Sequence, residues 1–445
     1  MAEFANTMNE AVSELLRERY CFTRHRSGLP IYVFPKKLTT TFAYFAVRYG
    51  STDNCFCIGT ENVPERVPAG IAHFLEHKLF ENEDGSDAFE QFAALGADAN
   101  AYTTYDKTAY LFSCTENFEA ALAELLRFVT HPHFTEASVK KEQGIITEEI
   151  REYDDRPWDR CFQNLLCAMY QENSVRENIC GSAESIRKIT PELLYRCYGA
   201  FYRPSNMALV VCGDVDLDTV LRIADEHLPK QNDEEMIRRG RTNEPTEVAK
   251  AYVEQAMQVS KPLFSIGIKD PVLPSDPDTR LRRDLCINLL CEILFSRSGD
   301  FYNELFETGM ITPSFAYGYS CTETFAFTCI SGESDEPERV LALLKDYLAK
   351  IRAEGLDREV FERCRRVMYA DELRAYDSTE EIASRLLAFV FDGTKLFSCP
   401  DVIQNITKEE LEALLTSLFS DGLFSLSVIN PLEAMDTNQK KGSSI

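Results

Sequence analysis

Gly70-Ile71-Ala72-His73-Phe74-Leu75-Glu76-His77-Lys78-Leu79-Phe80-Glu81 puts two histidines and a glutamate within five residues. The spacing predicts a helix over 70–81, on which His73 and His77, four apart, stand one above the other on a single face. Two imidazoles so placed can grip one metal ion. Glu76 is i+3 from His73 and adjacent to His77, so its carboxylate is carried beside that face, where a base would stand to take a proton from a metal-bound water. Only six histidines occur in the 445 residues and two of them are here, which weighs against the competing reading of an ordinary surface helix.

Outward from this segment, 30–35 and 39–47 read as strands, preceded by a turn at Ser27-Gly28. A loop bearing glycine and proline leads from Tyr49 to Gly70. Beyond the histidines, 96–114 is rich in small, β-branched and aromatic residues and predicts one or two strands. An amphipathic helix over 116–129 follows, with Phe118, Leu122, Leu125, Leu126 and Val129 on one face. Thr135 is placed to cap a further helix that runs through Glu148 and Glu149 to Tyr153, with Pro157 marking its limit. More helix is expected to about Phe201, then an apolar strand over 207–211 ending at Gly213-Asp214.

Residues 230–249 are charged, poor in large apolar side chains and punctuated by Gly240 and Pro245, as a linker would be. They divide the chain into an N-terminal domain, 1–229, and a C-terminal domain, 250–445. The second half echoes the first. Arg151-Glu-Tyr-Asp154 is matched by Arg374-Ala-Tyr-Asp377, and Tyr110-Leu-Phe-Ser-Cys114 with its following helix by Phe325-Ala-Phe-Thr-Cys329 and the helix over 338–351. The helix-then-strand ending 191–211 is matched by 408–428. Three matches in the same order indicate a duplicated domain. In this alignment Glu149 meets Glu372, but Ser296 to Gly299 stand near where the histidines would fall, so the second half is expected to keep the frame without the metal motif.

The length allows about two to four domains, and 44% hydrophobic with 27% charged residues indicates a folded globular chain. The formal charge is -25, from 72 acidic against 47 basic side chains. A surface this acidic repels phosphate backbones, so nucleic acid is not expected as a partner. The fifteen cysteines are an odd number, scattered through apolar runs at positions such as Cys21, Cys114, Cys212, Cys286, Cys329 and Cys364. They are expected to be reduced core residues of a cytoplasmic protein. Cys55 and Cys57, spaced C-x-C, lack a second pair to complete a zinc knot. The first twenty residues hold acids and no apolar signal-peptide core, and no window reaches eighteen apolar residues. A soluble, cytoplasmic protein without membrane association is therefore expected.

H-x-x-E-H is the inverted counterpart of the H-E-x-x-H helix of zinc proteases, with the histidine pair kept and the glutamate moved beside the second histidine. A catalytic zinc needs a third protein ligand and an open position for water. The segment Glu142-Gln-Gly-Ile-Ile-Thr-Glu-Glu149 is the richest candidate source. Glu142 and Glu149 are two turns apart on one face, so one could ligate while the other accepts a hydrogen bond from a ligating histidine. The competing reading of each glutamate alone is a solvated charge.

Taken in order, Gly70-Ile-Ala-His-Phe-Leu-Glu-His77, the 96–110 stretch containing Asn100-Ala101, the 142–149 helix, Tyr202-Arg-Pro-Ser-Asn-Met207 and the Gly213-Asp214 ending closely resemble the insulinase/pitrilysin family. The two-domain chain is similar to its bacterial, mitochondrial-processing-peptidase-like branch, and the resemblance covers essentially the whole chain. It implies an α+β fold of two homologous α/β domains, each a mainly antiparallel sheet packed with helices. Two such chains would close into a chamber. It also implies that His73, His77 and Glu149 bind zinc, that Glu76 is the general base and that Glu142 is the supporting acid. A peptide would add as a strand to the sheet edge near 98–103, where Asn100 and Ala101 offer backbone groups.

One departure matters. Family members that act as homodimers carry an Arg and a Tyr in the second domain that help hold the substrate carbonyl. The matching segment here is Glu304-Leu-Phe-Glu-Thr-Gly-Met-Ile-Thr312, with Phe306 at the Arg position and Thr312 at the Tyr position. Tyr317 and Tyr319 are the nearby phenols that could stand in. The expected function is that of a zinc-dependent endopeptidase acting on peptides or small unfolded segments. It is expected to be the zinc-bearing subunit of a heterodimer whose paralogous partner supplies the Arg/Tyr pair, with a homodimer as the other arrangement. The rival from another class is a non-catalytic structural or chaperone-like subunit of the same fold, in which the histidines or the base are usually lost.

Overall fold

The computed structural model describes residues 8–228, 237–240 and 242–432. It divides into two compact units. The first gathers the chain up to Ile150, from Asn178 through the strand Ile237–Arg239, and from Glu372 to Cys399. The second gathers Arg151–Glu177, Thr242–Asp371 and the chain from Pro400 onward.

Seven strands form the sheet of the first unit: β1 (Asn9–Ser13), β2 (Glu18–Arg24), β3 (Pro30–Pro35), β4 (Thr41–Val47), β5 (Asp98–Thr103), β6 (Thr108–Cys114) and β7 (Met207–Gly213). Their order is β1-β2-β3-β7-β4-β6-β5, antiparallel throughout except for β3 with β7. Strands β4 (TFAYFAV) and β7 (MALVVCG) are buried at every position, the pattern of central strands covered on both faces. The helix Phe118–Thr130 buries Leu122, Leu125, Leu126 and Val129 and packs against β6 and β4. Phe42, Tyr44 and Ala46 of β4 lie in a cluster with Ile382, Leu386, Leu387 and Phe391 of the helix Thr379–Asp392.

The second unit repeats the plan. Its strands are β8 (Tyr252–Met257), β9 (Leu263–Lys269), β10 (Ala316–Cys321), β11 (Ala326–Glu333) and β12 (Phe424–Pro431), in the order β8-β12-β9-β11-β10, and only β8 with β12 is parallel. Strand for strand this is β3-β7-β4-β6-β5, so the duplication read from the sequence is an architectural one. The residue alignment slips within it. Strand β6 ends at Cys114, whereas β11 runs four residues past Cys329 to Glu333, because strands of alternating apolar and small residues match each other at several offsets.

The compact units do not coincide with the contiguous division 1–229 and 250–445. The helix Pro157–Met169 buries Cys161, Leu165, Leu166 and Met169 and packs on β12 and β9 of the second unit. Its approach is close enough that a Cβ on Gly267 of β9 would stand 2.3 Å from Met169 Sδ. Its counterpart in the repeat, Thr379–Asp392, packs in the first unit. An apolar helical stripe announces that it must be buried, not which sheet receives it. The predicted linker also has structure where it is described. Ile237–Arg239 pairs with the strand Cys55–Ile58, and the Glu244 carboxylate accepts from the backbone N–H groups of Gln171, Glu172 and Asn173 and from Lys269 Nζ at 2.6 Å. Residues 230–236 and 241 lie outside the described residues.

Other expectations hold closely. The 96–114 stretch forms two antiparallel strands, and Thr135 Oγ1 accepts from Ser138 N ahead of the helix Glu136–Asp155. All fifteen cysteines are free thiols, and ten of them are buried.

Candidate functional site

The histidine helix runs Ile71–Leu79. It opens at Gly70, whose φ of 89° lies in the left-handed region that glycine alone enters freely. A Cβ at Gly70 would stand 2.4 Å from the Cys180 carbonyl oxygen, and one on Gly181 would stand 2.4 Å from that of Ala69. Two glycines therefore let the helix start and the 178–181 turn meet backbone to backbone, and Ser185 Oγ donates to the Ala69 carbonyl at 2.8 Å. This contact fixes where the histidines point.

The helix Glu136–Asp155 brings the carboxylates. Glu149 Oε1 is 3.7 Å from His73 Nε2, and Glu149 Oε2 is 3.5 Å from His77 Nε2. His77 Nδ1–H donates to Glu142 Oε1 at 3.0 Å. Of the two glutamates left open by spacing, Glu149 therefore stands at the ring nitrogens that face one another, and Glu142 stands behind His77. Three ligand atoms from His73, His77 and Glu149 lie within 4.8 Å of one another, a set that among the described residues is the one group able to hold a metal ion. Tetrahedral ligation at about 2.0–2.1 Å separates neighbouring ligand atoms by roughly 3.3 Å, so the donor set fits zinc in identity and spacing. In the second half, Ser296 closes the helix Pro277–Phe295, and Glu372 Oε2 accepts from Arg385 and the Cys399 thiol.

The electrostatics favour a cation. Burial, and secondarily His77, pushes the His73 pKa down to about 3, so this imidazole is neutral and has a lone pair to give. Burial also acts downward on His77, but the Glu142 hydrogen bond and the charges of Glu76, Glu142 and Glu149 outweigh it and leave the pKa above its ordinary value. Burial raises the Glu76 carboxyl, against the opposing pull of a Thr103 hydrogen bond and His77. Burial, Glu149 and Glu76 push the Cys180 thiol up to about 12. Three carboxylates converge on two imidazoles, and a dication is the charge that relieves them.

Two neighbours were not singled out from the sequence. Thr103 Oγ1 donates to Glu76 Oε2 at 2.5 Å, and the Cys180 thiol lies 3.9 Å from His73 Nε2. Thr103 follows Ala101 by two residues on β5, and that period-two spacing was the signal available. Cys180 gave none, since the backbone contact at Gly70 places it.

Strand β5 is the edge of its sheet, as expected for 98–103. The Ala101 N–H is at present capped by Asn100 Oδ1 at 2.8 Å. In the second unit Phe306 is exposed on the helix Asp300–Glu307, and Thr312 donates to Glu333. The candidate stand-in phenols are both engaged: Tyr317 donates to Glu292 at 2.5 Å and Tyr319 to Asp270 at 2.7 Å.

Residues 57–183 match the family Insulinase (Peptidase family M16), and residues 188–368 match the Peptidase M16 inactive domain. The chain is 38% identical over 405 residues to YmfH of Bacillus subtilis, named an uncharacterized zinc protease, covering 90% of this chain and 94% of that one. A crystal structure described as an M16-like peptidase from Alicyclobacillus acidocaldarius superposes with a TM-score of 0.87 at 31% identity, over 97% of this chain and 99% of that one. A protease from Helicobacter pylori shares the fold, with a TM-score of 0.79 at 17% identity over 96% of this chain and all of the other. No helix among the described residues is long and apolar enough to cross a membrane.

Proposed function

Because the chain belongs to the insulinase family of peptidases, family M16, we propose that it is a zinc-dependent endopeptidase that cleaves peptides or small unfolded segments. The observation that carries this reading is the convergence of His73, His77 and Glu149 on one point with the Glu76 carboxylate beside them. When bound there, zinc would supply Lewis-acid charge, lowering the pKa of a water and polarising the scissile carbonyl. Glu76 takes the proton of the attacking water on its carboxylate and returns it to the leaving amine. Glu142 accepts from His77 Nδ1–H, which leaves the Nε2 lone pair of His77 free to ligate. The substrate lies along the open edge of β5 as an added strand, displacing the Asn100 side chain from the Ala101 N–H.

The same reading makes this chain the zinc-bearing member of a heterodimer acting in the cytoplasm. Phe306 and Thr312 cannot stabilise an oxyanion together, and the hydroxyls of Tyr317 and Tyr319 are committed within their own unit. A paralogous chain is the source of the missing Arg and Tyr.

The test is metal analysis of the purified chain joined to peptide cleavage, measured alone and with its paralogue. One zinc per chain is expected, with cleavage that rises when the paralogue is added and falls by about a hundredfold to ten-thousandfold in Glu76→Gln. A chain without stoichiometric zinc, or a Glu76→Gln variant as active as wild type, overturns the peptidase and leaves the scaffold. Full activity indifferent to the paralogue overturns the heterodimer alone.

A further inference from the structure

We infer that Thr103 is a positioning residue for the general base: its hydroxyl holds Glu76 Oε2, so that the second carboxylate oxygen, Oε1, is the one that takes the proton of the attacking water.

The donor directions follow from proton counting. Thr108 Oγ1 donates to the Tyr49 carbonyl at 2.9 Å, an acceptor with no proton of its own. The single Thr108 proton is thereby spent, and the 3.3 Å contact between Thr108 Oγ1 and Thr103 Oγ1 leaves the Thr103 proton uncommitted. That proton goes to Glu76 Oε2, 2.5 Å away, because a carboxylate can only accept. It is the one hydrogen bond to the Glu76 side chain among the described residues. A buried carboxylate with a single anchor has one defined orientation and one oxygen in reserve, and without that anchor it has neither.

The anchor is itself held. Thr103 closes β5, pairing with Thr108 of β6, and the buried Tyr202 and Tyr110 hydroxyls meet at 2.8 Å beneath. Tyr202 also reaches Thr108 and lies near enough to Glu76 to feel its charge. The strand proposed to take the substrate thus carries, three residues past Asn100, the hydroxyl that orients the base. Disturbing β5 then disturbs Glu76, which gives substrate docking a direct route to the group that moves the proton.

This inference rests on Glu76 acting as the base, so the experiment separates the two. Thr103→Val keeps the branched shape and removes the donor, and Thr103→Ser restores it. Each is compared with wild type and Glu76→Gln by kcat, KM, zinc content and thermal unfolding. Thr103→Val is expected to lose about tenfold to a hundredfold in kcat, the scale of a misplaced reacting group, with KM within about twofold, one zinc per chain and unchanged unfolding. Thr103→Ser is expected to regain most of the rate. Wild-type kcat in Thr103→Val, equal losses in Val and Ser, or a loss confined to KM or to zinc content each overturns the positioning role. A fully active Glu76→Gln instead overturns the underlying assignment of the base.

Discussion

Replacing Glu142 by Gln tests the metal centre without touching a ligand. The Glu142 carboxylate sits 3.0 Å from His77 Nδ1, its side chain nine-tenths buried. A hydrogen bond to an ionised acceptor contributes about 1.5–3 kcal/mol, against about 0.5–1.5 for a neutral one. Glutamine can still accept from Nδ1–H, so the variant loses only the difference, about 1.4 kcal/mol. That is about a tenfold rise in the zinc Kd, at the lower end of the range for residues that support a ligand. At a fixed free zinc concentration well above both constants, the stabilisation conferred by the metal falls by the same 1.4 kcal/mol or so. Competition against a chromogenic chelator at pH 7.5 reads the first quantity, and thermal unfolding with and without zinc reads the second. Two results refute the reasoning. A Kd within twofold of wild type means that Glu142 does not support His77. A thousandfold loss, paired with a tenfold loss in Glu149→Gln, means that Glu142 is the ligand and the two carboxylates have exchanged roles.

Acidity gives a second test. His77 has its pKa raised above 6.5; protonation therefore stabilises the metal-free fold below pH 6.5, and this contribution fades as pH climbs through the raised value. Only neutral imidazole ligates, so zinc retained after dialysis should begin to fall above pH 6.5 on acidification. His73, held near 3, plays no part in that range. In Glu142→Gln the zinc Kd is higher at pH 7.5 but the pH at which it begins to climb should shift lower, because the hydrogen bond that raises His77 is weakened; a Kd that is flat from pH 8 to 5 counts against the assignment. Gly70→Ala adds a Cβ 2.4 Å from the Cys180 carbonyl at a left-handed position, so destabilisation above about 1 kcal/mol with loss of zinc is expected, read by unfolding and metal analysis. Leu387→Ala, fully buried against the first sheet, should cost about 2–5 kcal/mol in denaturant unfolding. It should do so although residue 387 lies far along the chain from every ligand.

The shared faces of the His73/His77 pair and of the Glu142/Glu149 pair were legible because a helix writes its own geometry. His73 and His77 at i, i+4, and Glu142 and Glu149 two turns apart, each present one face, but spacing alone left open which glutamate meets the histidine nitrogens, and the pairing of the two helices came from the family resemblance. The apolar runs at 39–47 and 207–211 were legible as strands, and the structure shows them as Thr41–Val47 and Met207–Gly213, buried throughout, while the two-domain fold itself followed from the family resemblance. Contacts made by backbone rather than by pattern were not legible. Nothing in Cys180-Gly181 announces that it abuts Gly70, and nothing in Thr103 announces that its hydroxyl meets Glu76. Glu244, one acid among many in a charged stretch, gave no sign that it collects three backbone amides and a lysine.

The helices Pro157–Met169 and Thr379–Asp392 have a consequence for how the gene can be cut. Each completes the sheet raised by the opposite half of the chain, so a polypeptide ending near residue 240 would fold around a sheet whose Phe42, Tyr44 and Ala46 face is bare. It would also carry an orphan helix with no sheet of its own to cover. The two halves should therefore be insoluble when made apart and recover when made together. After the duplication neither copy can be lost or traded without taking part of its twin, and the C-terminal half is needed to complete the first sheet whatever it contributes to chemistry.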